Sequence, residues 1–165
     1  YQIEDVVRVT GYYNKTPKVE FLYRNNLAMN IANEKTTTQM VDWAAAETQK
    51  KAGVSFKGYS FYADTSVDPV RYMLLAEPEE DIPAERIPEI EAILDEMLNE
   101  SNEKYFKYRR WGMLAAPKFN ILKKDTYADY REMLKKQGKV LNQVKPVTVI
   151  NTPEREEFFL SHIAE

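Results

Sequence analysis

The 165-residue sequence has no cysteine and a single histidine, His162. Without cysteine there are no disulfides, no thiolate nucleophile and no cysteine-ligated zinc or iron–sulfur centre. One histidine leaves no His-rich metal site, and His162 falls near the end of a helical pattern, where a surface or packing role accounts for it. The five glycines are scattered, so there is no Gly-rich phosphate loop, and no Ser-His-Asp set or metal cluster is present. No apolar run approaches the ~20 residues of a membrane-spanning helix, and no signal-peptide pattern opens the chain. A soluble, cytoplasmic protein with no membrane partner is expected.

What is there suffices for a folded domain. A 44% hydrophobic fraction with 12% aromatics builds a core, and the length fits one domain plus a short strand pair belonging to something else. The net charge of −3 conceals an asymmetry. Residues 77–103 carry eleven acids and one base, Arg86, whereas residues 104–145 carry twelve bases and three acids. The acidic block reads as the solvated face of a helix. The basic block raises the local potential where a polyphosphate would dock. Within it, Tyr105, Phe106, Tyr108 and Trp111 interleave with Lys107, Arg109 and Arg110. In a net-acidic chain, with the rings at helical spacing, this reads as a helix packing its rings inward. No nucleic-acid partner is expected.

Periodicity gives the organisation. Residues 4–10 and 18–24 read as two half-buried strands joined by a turn at 12–17, with Val19, Phe21 and Tyr23 alternating with their neighbours. Arg24, Asn25 and Asn26 break that pattern. Leu27 to Ile31 reads as a short apolar strand. Thr36, Thr37 and Thr38 offer N-caps for a helix that stops at Gly53. Residues 54–63 and 71–76 read as a hairpin. Ile87, Ile90, Leu94 and Met97 mark a helix with Pro88 in its first turn, and a further helix covers 102–110. Residues 118–122 form a strand. Thr126 to Asp129 fits a capping box for a helix running to Gln137 and ending at Gly138. Residues 146–150 are extended, and Thr152 with Pro153 caps a last helix through His162. The sum is an α+β fold: a small, mostly antiparallel sheet with helices packed on one side, preceded by a two-strand segment.

Two stretches carry more than fold. One is Asp5-Val-Val-Arg-Val-Thr-Gly-Tyr-Tyr-Asn14; the other is Gly138-Lys-Val-Leu-Asn-Gln-Val-Lys145. Both resemble the acyl-acid amido synthetase family first met in auxin-responsive plant enzymes (the GH-three family). Those enzymes carry Tyr-Arg-x-Gly-Asp-Val-Val-x-Val-x-Gly-Phe-Tyr-Asn near the end of a large domain and an Asn-Gln-x-Lys loop near the chain end. The resemblance covers nearly the whole chain, densely at residues 1–36 and 104–146. Gln2 and Glu4 stand where the family has Arg and Gly, and Pro146 directly follows Lys145 with no Arg after it.

The resemblance implies a C-terminal fragment of an ATP-dependent acid–amido synthetase, a ligase. Its parent adenylates a carboxylic acid and lets an amino acid's amine attack the acyl-adenylate. Asp5 is then the carboxylate that takes the ATP ribose through its vicinal hydroxyls. Lys145 is the catalytic cation of the adenylation step, and Arg24 and Asn25 form the hinge. Residues 1–24 become the terminal strands of the large N-terminal domain, and residues 25–165 the C-terminal α+β domain. ATP with magnesium belongs to the full-length parent; none is expected bound to the fragment, which is expected to be inactive alone. The implied partners are the protein's own N-terminal domain and the carboxylic acid and amino acid substrates. Glu34, Lys35 and Thr36 also recur in the family, and helix capping accounts for them. Tyr1 in place of Met, inside a strand pattern, leads to the expectation that upstream sequence has been removed. The other reading is a stand-alone, non-catalytic α+β binding or interaction module derived from that domain.

Overall fold

The computed structural model describes residues 5–24, 29–138 and 146–164. It contains two separate sheets. Strands β1 (Asp5–Tyr13) and β2 (Thr16–Arg24) form an antiparallel ribbon turned at Asn14, whose φ of 53° is one that Asn adopts readily. The described valines of this ribbon, Val7, Val9 and Val19, are 46%, 51% and 54% exposed. Their alternation is therefore that of a strand with one apolar face, but this chain does not bury that face.

After α1 (Thr38–Ala52) come β3 (Phe56–Asp64) and β4 (Arg71–Pro78), an antiparallel pair. A short 3₁₀ turn at Ala84–Arg86 leads into α2 (Ile87–Ser101) and α3 (Glu103–Arg110). The chain then returns as β5 (Lys118–Ile121), parallel to β4. A parallel neighbour needs a crossover, which α2 and α3 supply. Helices α4 (Thr126–Lys136) and α5 (Pro153–Ser161) complete the fold. The order in the second sheet is β3-β4-β5, mostly antiparallel, with Val149 bridging in parallel to Phe61 beyond the β3 edge.

Helices cover both faces of this sheet, not one as expected. Tyr72, Leu74 and Ala76 of β4 face α1, α2 and α3, together with Phe61, Ile90, Leu94 and Tyr105. Leu75 faces the other way, packing with Tyr130, Leu134 and Phe159 of α4 and α5. The unbroken buried run from Leu74 to Glu77 is the mark of a strand dry on both sides.

Several expected helix ends are found. The Thr37 side chain caps α1 by accepting from the Met40 N–H, and Gly53 ends it at φ 62°. Asn102 caps α3 and Thr152 caps α5. Three expectations need correction. The strand expected at 27–31 is not seen over its described part: residues 25–28 lie outside the described residues, and Met29 makes a lone bridge to Thr36. The amides of Ile31 and Ala32 go to a side chain instead of a ladder. On α3 only Tyr105 is buried, whereas Phe106 and Trp111 are 40% and 66% exposed. An eight-residue helix has one inner face; Phe106 and Arg110, four apart, share the outer one, with the guanidinium 5.6 Å from the ring centroid. The capping box at Thr126 is not formed either. Asp125 sits at φ 66° ahead of the helix, and the Thr126 hydroxyl donates to the Lys123 carbonyl.

Candidate functional site

The strand register brings two of the singled-out residues together. Asp5 and Arg24 are cross-strand partners at the open end of the β1–β2 ribbon, although nineteen positions separate them. Asn25 and Lys145 lie outside the described residues. What surrounds them is the described stem on either side, and each stem is fixed by buried polar groups.

The stem after Asn25 is the loop closed by the Met29–Thr36 bridge, with both backbone hydrogen bonds formed at 2.7 and 2.8 Å. At its centre Glu34 is fully buried. Its carboxylate accepts from the Ile31 N–H at 3.0 Å, from the Ala32 N–H at 2.7 Å and from the Tyr72 hydroxyl. The phenol's one proton is thereby used, so the Thr36 hydroxyl, 2.8 Å away, is left to donate to Tyr72. Thr36 in turn accepts from the Asn102 side-chain amide at 2.8 Å, and the same amide reaches the Glu34 carbonyl at 3.2 Å. Burial first, and then the Glu34 charge, push the Tyr72 phenol well above its usual range. A carboxylate sealed from solvent and saturated with protein donors is a clamp, not a proton-transfer group. Helix capping, the expected role of this triplet, belongs to Thr37. The loop pays in conformation, since Asn33 and Lys35 on either side of Glu34 adopt φ of 74° and 53°.

The stem before Lys145 is α4, which ends at Gly138 with φ 80° and a hydrogen bond from its N–H to the Lys135 carbonyl at 2.9 Å. The start of α4 is held by Glu77 of β4. Its carboxylate accepts from the Asp125 N–H at 2.9 Å and the Tyr127 N–H at 3.2 Å. Glu77 is only 3% exposed, so the first member of the acidic block is an internal cap rather than part of a solvated face.

The rest of that block is not simply solvated either. Asp95 takes the Arg109 guanidinium through two hydrogen bonds at 2.8 and 2.7 Å. Glu91 pairs with Lys118, Glu103 with Lys107, and Glu96 with Lys51 of α1. The acidic run thus faces bases from the following block and holds α2, α3 and β5 in register. His162 stacks on Phe158 with centroids 4.2 Å apart and its Nδ1 lies 2.7 Å from the Phe158 carbonyl, a packing role. No helix among the described residues is long and apolar enough to cross a membrane.

Sequence reasoning missed Glu34 and Glu77 as structural carboxylates. The only signal for Glu77 was its place at the end of an apolar strand rather than inside the charged run.

Comparison with known proteins accords with this geometry. Residues 39–154 match the GH3 family C-terminal domain, and residues 1–24 match the GH3 family central domain. The chain is 27% identical over 151 residues to the putative indole-3-acetic acid-amido synthetase GH3.9 of Arabidopsis thaliana, covering 88% of this chain and 25% of that protein. It is 25% identical over 148 residues to the jasmonoyl–L-amino acid synthetase JAR4 of Nicotiana attenuata, with the same 88% and 25% coverage. The chain therefore spans about a quarter of the length of these curated relatives. In structure it resembles the GH3.15 acyl acid amido synthetase at a TM-score of 0.77 and 18% identity, over 99% of this chain and 31% of that one, a likeness of fold.

Proposed function

The chain belongs to the GH3 family of acyl acid amido synthetases, whose C-terminal domain it carries over residues 39–154, and on that premise we propose that it is the C-terminal part of an ATP-dependent acid–amido synthetase acting in the cytoplasm. What supports this most is the meeting of two family domains in one chain, with residues 25–38 between the matched stretches. Residues 1–24 are read as the closing strands of the larger domain, and Arg24 and Asn25 as the hinge that absorbs backbone rotation between two working positions.

In the proposed reaction a carboxylate oxygen attacks the α-phosphorus of ATP and pyrophosphate leaves. An amino acid's amine then attacks the acyl carbon, giving an amide and AMP. Lys145 supplies positive charge where negative charge builds on the phosphoryl oxygens in the first step. Asp5 accepts hydrogen bonds from the ribose hydroxyls, for which a two-oxygen acceptor is suited. This donor set fits one share of the nucleotide, a carboxylate for the sugar and a cation for the phosphate. Among the described residues no group of three or more His, Asp or Glu is placed to hold a metal ion. Magnesium is accordingly assigned to the nucleotide's phosphates and to residues other than these. The 165-residue chain alone is proposed to be inert.

The test uses the full-length protein. Lys145→Ala is expected to cut acid-dependent pyrophosphate exchange by roughly 10² or more, the scale of losing one preorganised charge-stabilising group. ATP affinity and amide formation from a supplied acyl-adenylate should largely persist. Normal exchange by this variant would remove Lys145 from the reaction.

A further inference from the structure

We propose that Ser60 and Tyr127 are positioning residues for Lys145, acting through the carbonyl of Val147 on the downstream stem of the loop that carries the lysine. The proposal rests on the role assigned to Lys145 above.

Ser60 lies in β3 with no exposed surface. Its hydroxyl donates to the Val147 carbonyl, and its oxygen lies 2.9 Å from the Tyr127 hydroxyl. Because the one serine proton goes to Val147, the phenol is the donor of the second bond. A relay therefore runs from Tyr127 on α4 through Ser60 on β3 to the backbone at 147. Tyr127 is itself seated by the absence of a side chain at Gly58. A Cβ there would come 2.6 Å from the Tyr127 ring, closer than such atoms approach. The ring's backbone is held in turn, since the Tyr127 N–H donates to the buried Glu77.

Beyond Val147 the chain is laid along β3 by ordinary backbone bonds. The Phe61 N–H donates to the Thr148 carbonyl at 2.7 Å, and the Ile150 N–H to the Phe61 carbonyl at 2.8 Å. The Ser60 bond is thus the described tie nearest to Lys145 on that side, two positions away. An extended chain reaches at most ~3.5 Å per residue, so two residues confine the lysine backbone within ~7 Å of a fixed point and three within ~10 Å. Losing the serine hydroxyl moves the fixed point from 147 to 148. For a group that must meet a developing charge, an added freedom of this size is enough to lower the rate without altering what binds beforehand.

The experiment is made in the full-length protein with Ser60→Ala, Tyr127→Phe and Lys145→Ala, singly and with each of the first two combined with the third. The acid is whichever of indole-3-acetic acid, jasmonic acid and a 4-substituted benzoate gives the unaltered protein its highest pyrophosphate exchange. Ser60→Ala and Tyr127→Phe are expected to lower the exchange kcat by roughly tenfold or less, the scale of a small misplacement. KM for ATP and amide formation from supplied acyl-adenylate should each stay within about twofold, because the lysine serves only the first step. In the Lys145→Ala background neither substitution should lower exchange further, since no lysine remains to be placed.

Equal losses in both half-reactions, or a further loss beside Lys145→Ala, would show a general packing defect and overturn the inference. Full exchange in Ser60→Ala and Tyr127→Phe with a defective Lys145→Ala overturns it while leaving the proposed function standing. Normal exchange in Lys145→Ala, or none with any of the three acids in the unaltered protein, counts against the underlying function. If Ser60→Ala does not fold, Tyr127→Phe still decides, because its ring keeps its seat on Gly58 and only the hydroxyl is lost.

Discussion

The Tyr72 hydroxyl, borne by the central strand β4, donates to the Glu34 carboxylate 38 residues earlier in the chain, and both side chains are fully buried. This bond ties the loop that follows the Asp5–Arg24 ribbon end to the middle of the main core. Its removal should be costly from one side and moderate from the other. Tyr72→Phe leaves Glu34 with its two backbone donors and should destabilise by about 2 kcal/mol, the scale of a hydrogen bond to a charged group. Glu34→Ala strands the Ile31 and Ala32 amides as well as the phenol, and should cost about 3–5 kcal/mol. Urea midpoints at constant m-value measure both, and the double variant should cost clearly less than the sum.

Gly58 should not tolerate even a methyl group. Gly58→Ala drives a Cβ to 2.6 Å from the Tyr127 ring, and the ring is backed by Phe159 at a centroid distance of 5.3 Å. The expected loss is about 1–3 kcal/mol of overpacking strain. In a Tyr127→Ala background the same methyl should cost much less, which thermal unfolding of the four proteins would reveal.

The Asp64 carboxyl gives a pH signature. Burial alone would raise its pKa, but hydrogen bonds from the Ser66 amide at 3.1 Å and hydroxyl at 2.6 Å, with the Arg71 guanidinium at 2.9 Å, outweigh it and hold the group below the usual range. A depressed native pKa stabilises above the unfolded value of about 3.9, and the stabilisation is lost as pH falls through the native value. Asp64→Asn should therefore be less stable than the parent by about 1–2 kcal/mol at pH 7. The gap should close below about pH 4. A gap of constant size from pH 7 to pH 3 would show that the carboxylate charge is not what matters.

The β1–β2 ribbon should behave as the least protected part of the 165-residue chain. Its described valines are about half exposed, whereas Val41, Ala44 and Ala45 of α1 are fully buried. In a monomer, amides of residues 5–20 should exchange within the fast regime while those of α1 and β4 approach global protection. Slow exchange across both would mean that the ribbon's apolar face is covered, and would displace the proposed boundary at Arg24.

Local chemistry is easily read from the sequence. Thr37 and Gly53, Asn102, and Thr152 with Pro153 mark helix ends whose groups bond to neighbours within four residues, so the sequence holds both partners side by side. Residues tied to distant partners are not legible. Glu34 looks like part of a cap until Tyr72 and Asn102 are brought to it, and Glu77 looks like the start of a charge run until α4 sets its first amides against it. The two-sided sheet is hidden for a related reason. Met73 and Leu75 turn away from Leu74 toward helices that come some fifty residues later, and only the unbroken apolar run in β4 hints at them. Of the site, the family motifs point to Asp5 and Lys145, while Ser60 has no sequence signature, because its importance comes from an unremarkable carbonyl at Val147.

The segregation of charge along the chain has a consequence for the molecule once it is unfolded. Folded, residues 77–103 meet the bases that follow them as discrete pairs such as Asp95 with Arg109 and Glu91 with Lys118. Unfolded, the same segments form two adjoining polyelectrolyte blocks of opposite sign, which attract across a flexible chain. That attraction contracts the denatured ensemble at low ionic strength and is screened within about a Debye length of ~10 Å at 0.1 M salt. Urea, being uncharged, leaves the contraction in place, whereas guanidinium is itself a salt and erases it. The two denaturants therefore start from different unfolded states of the same protein, and their extrapolated stabilities diverge most when the urea series is run without added salt.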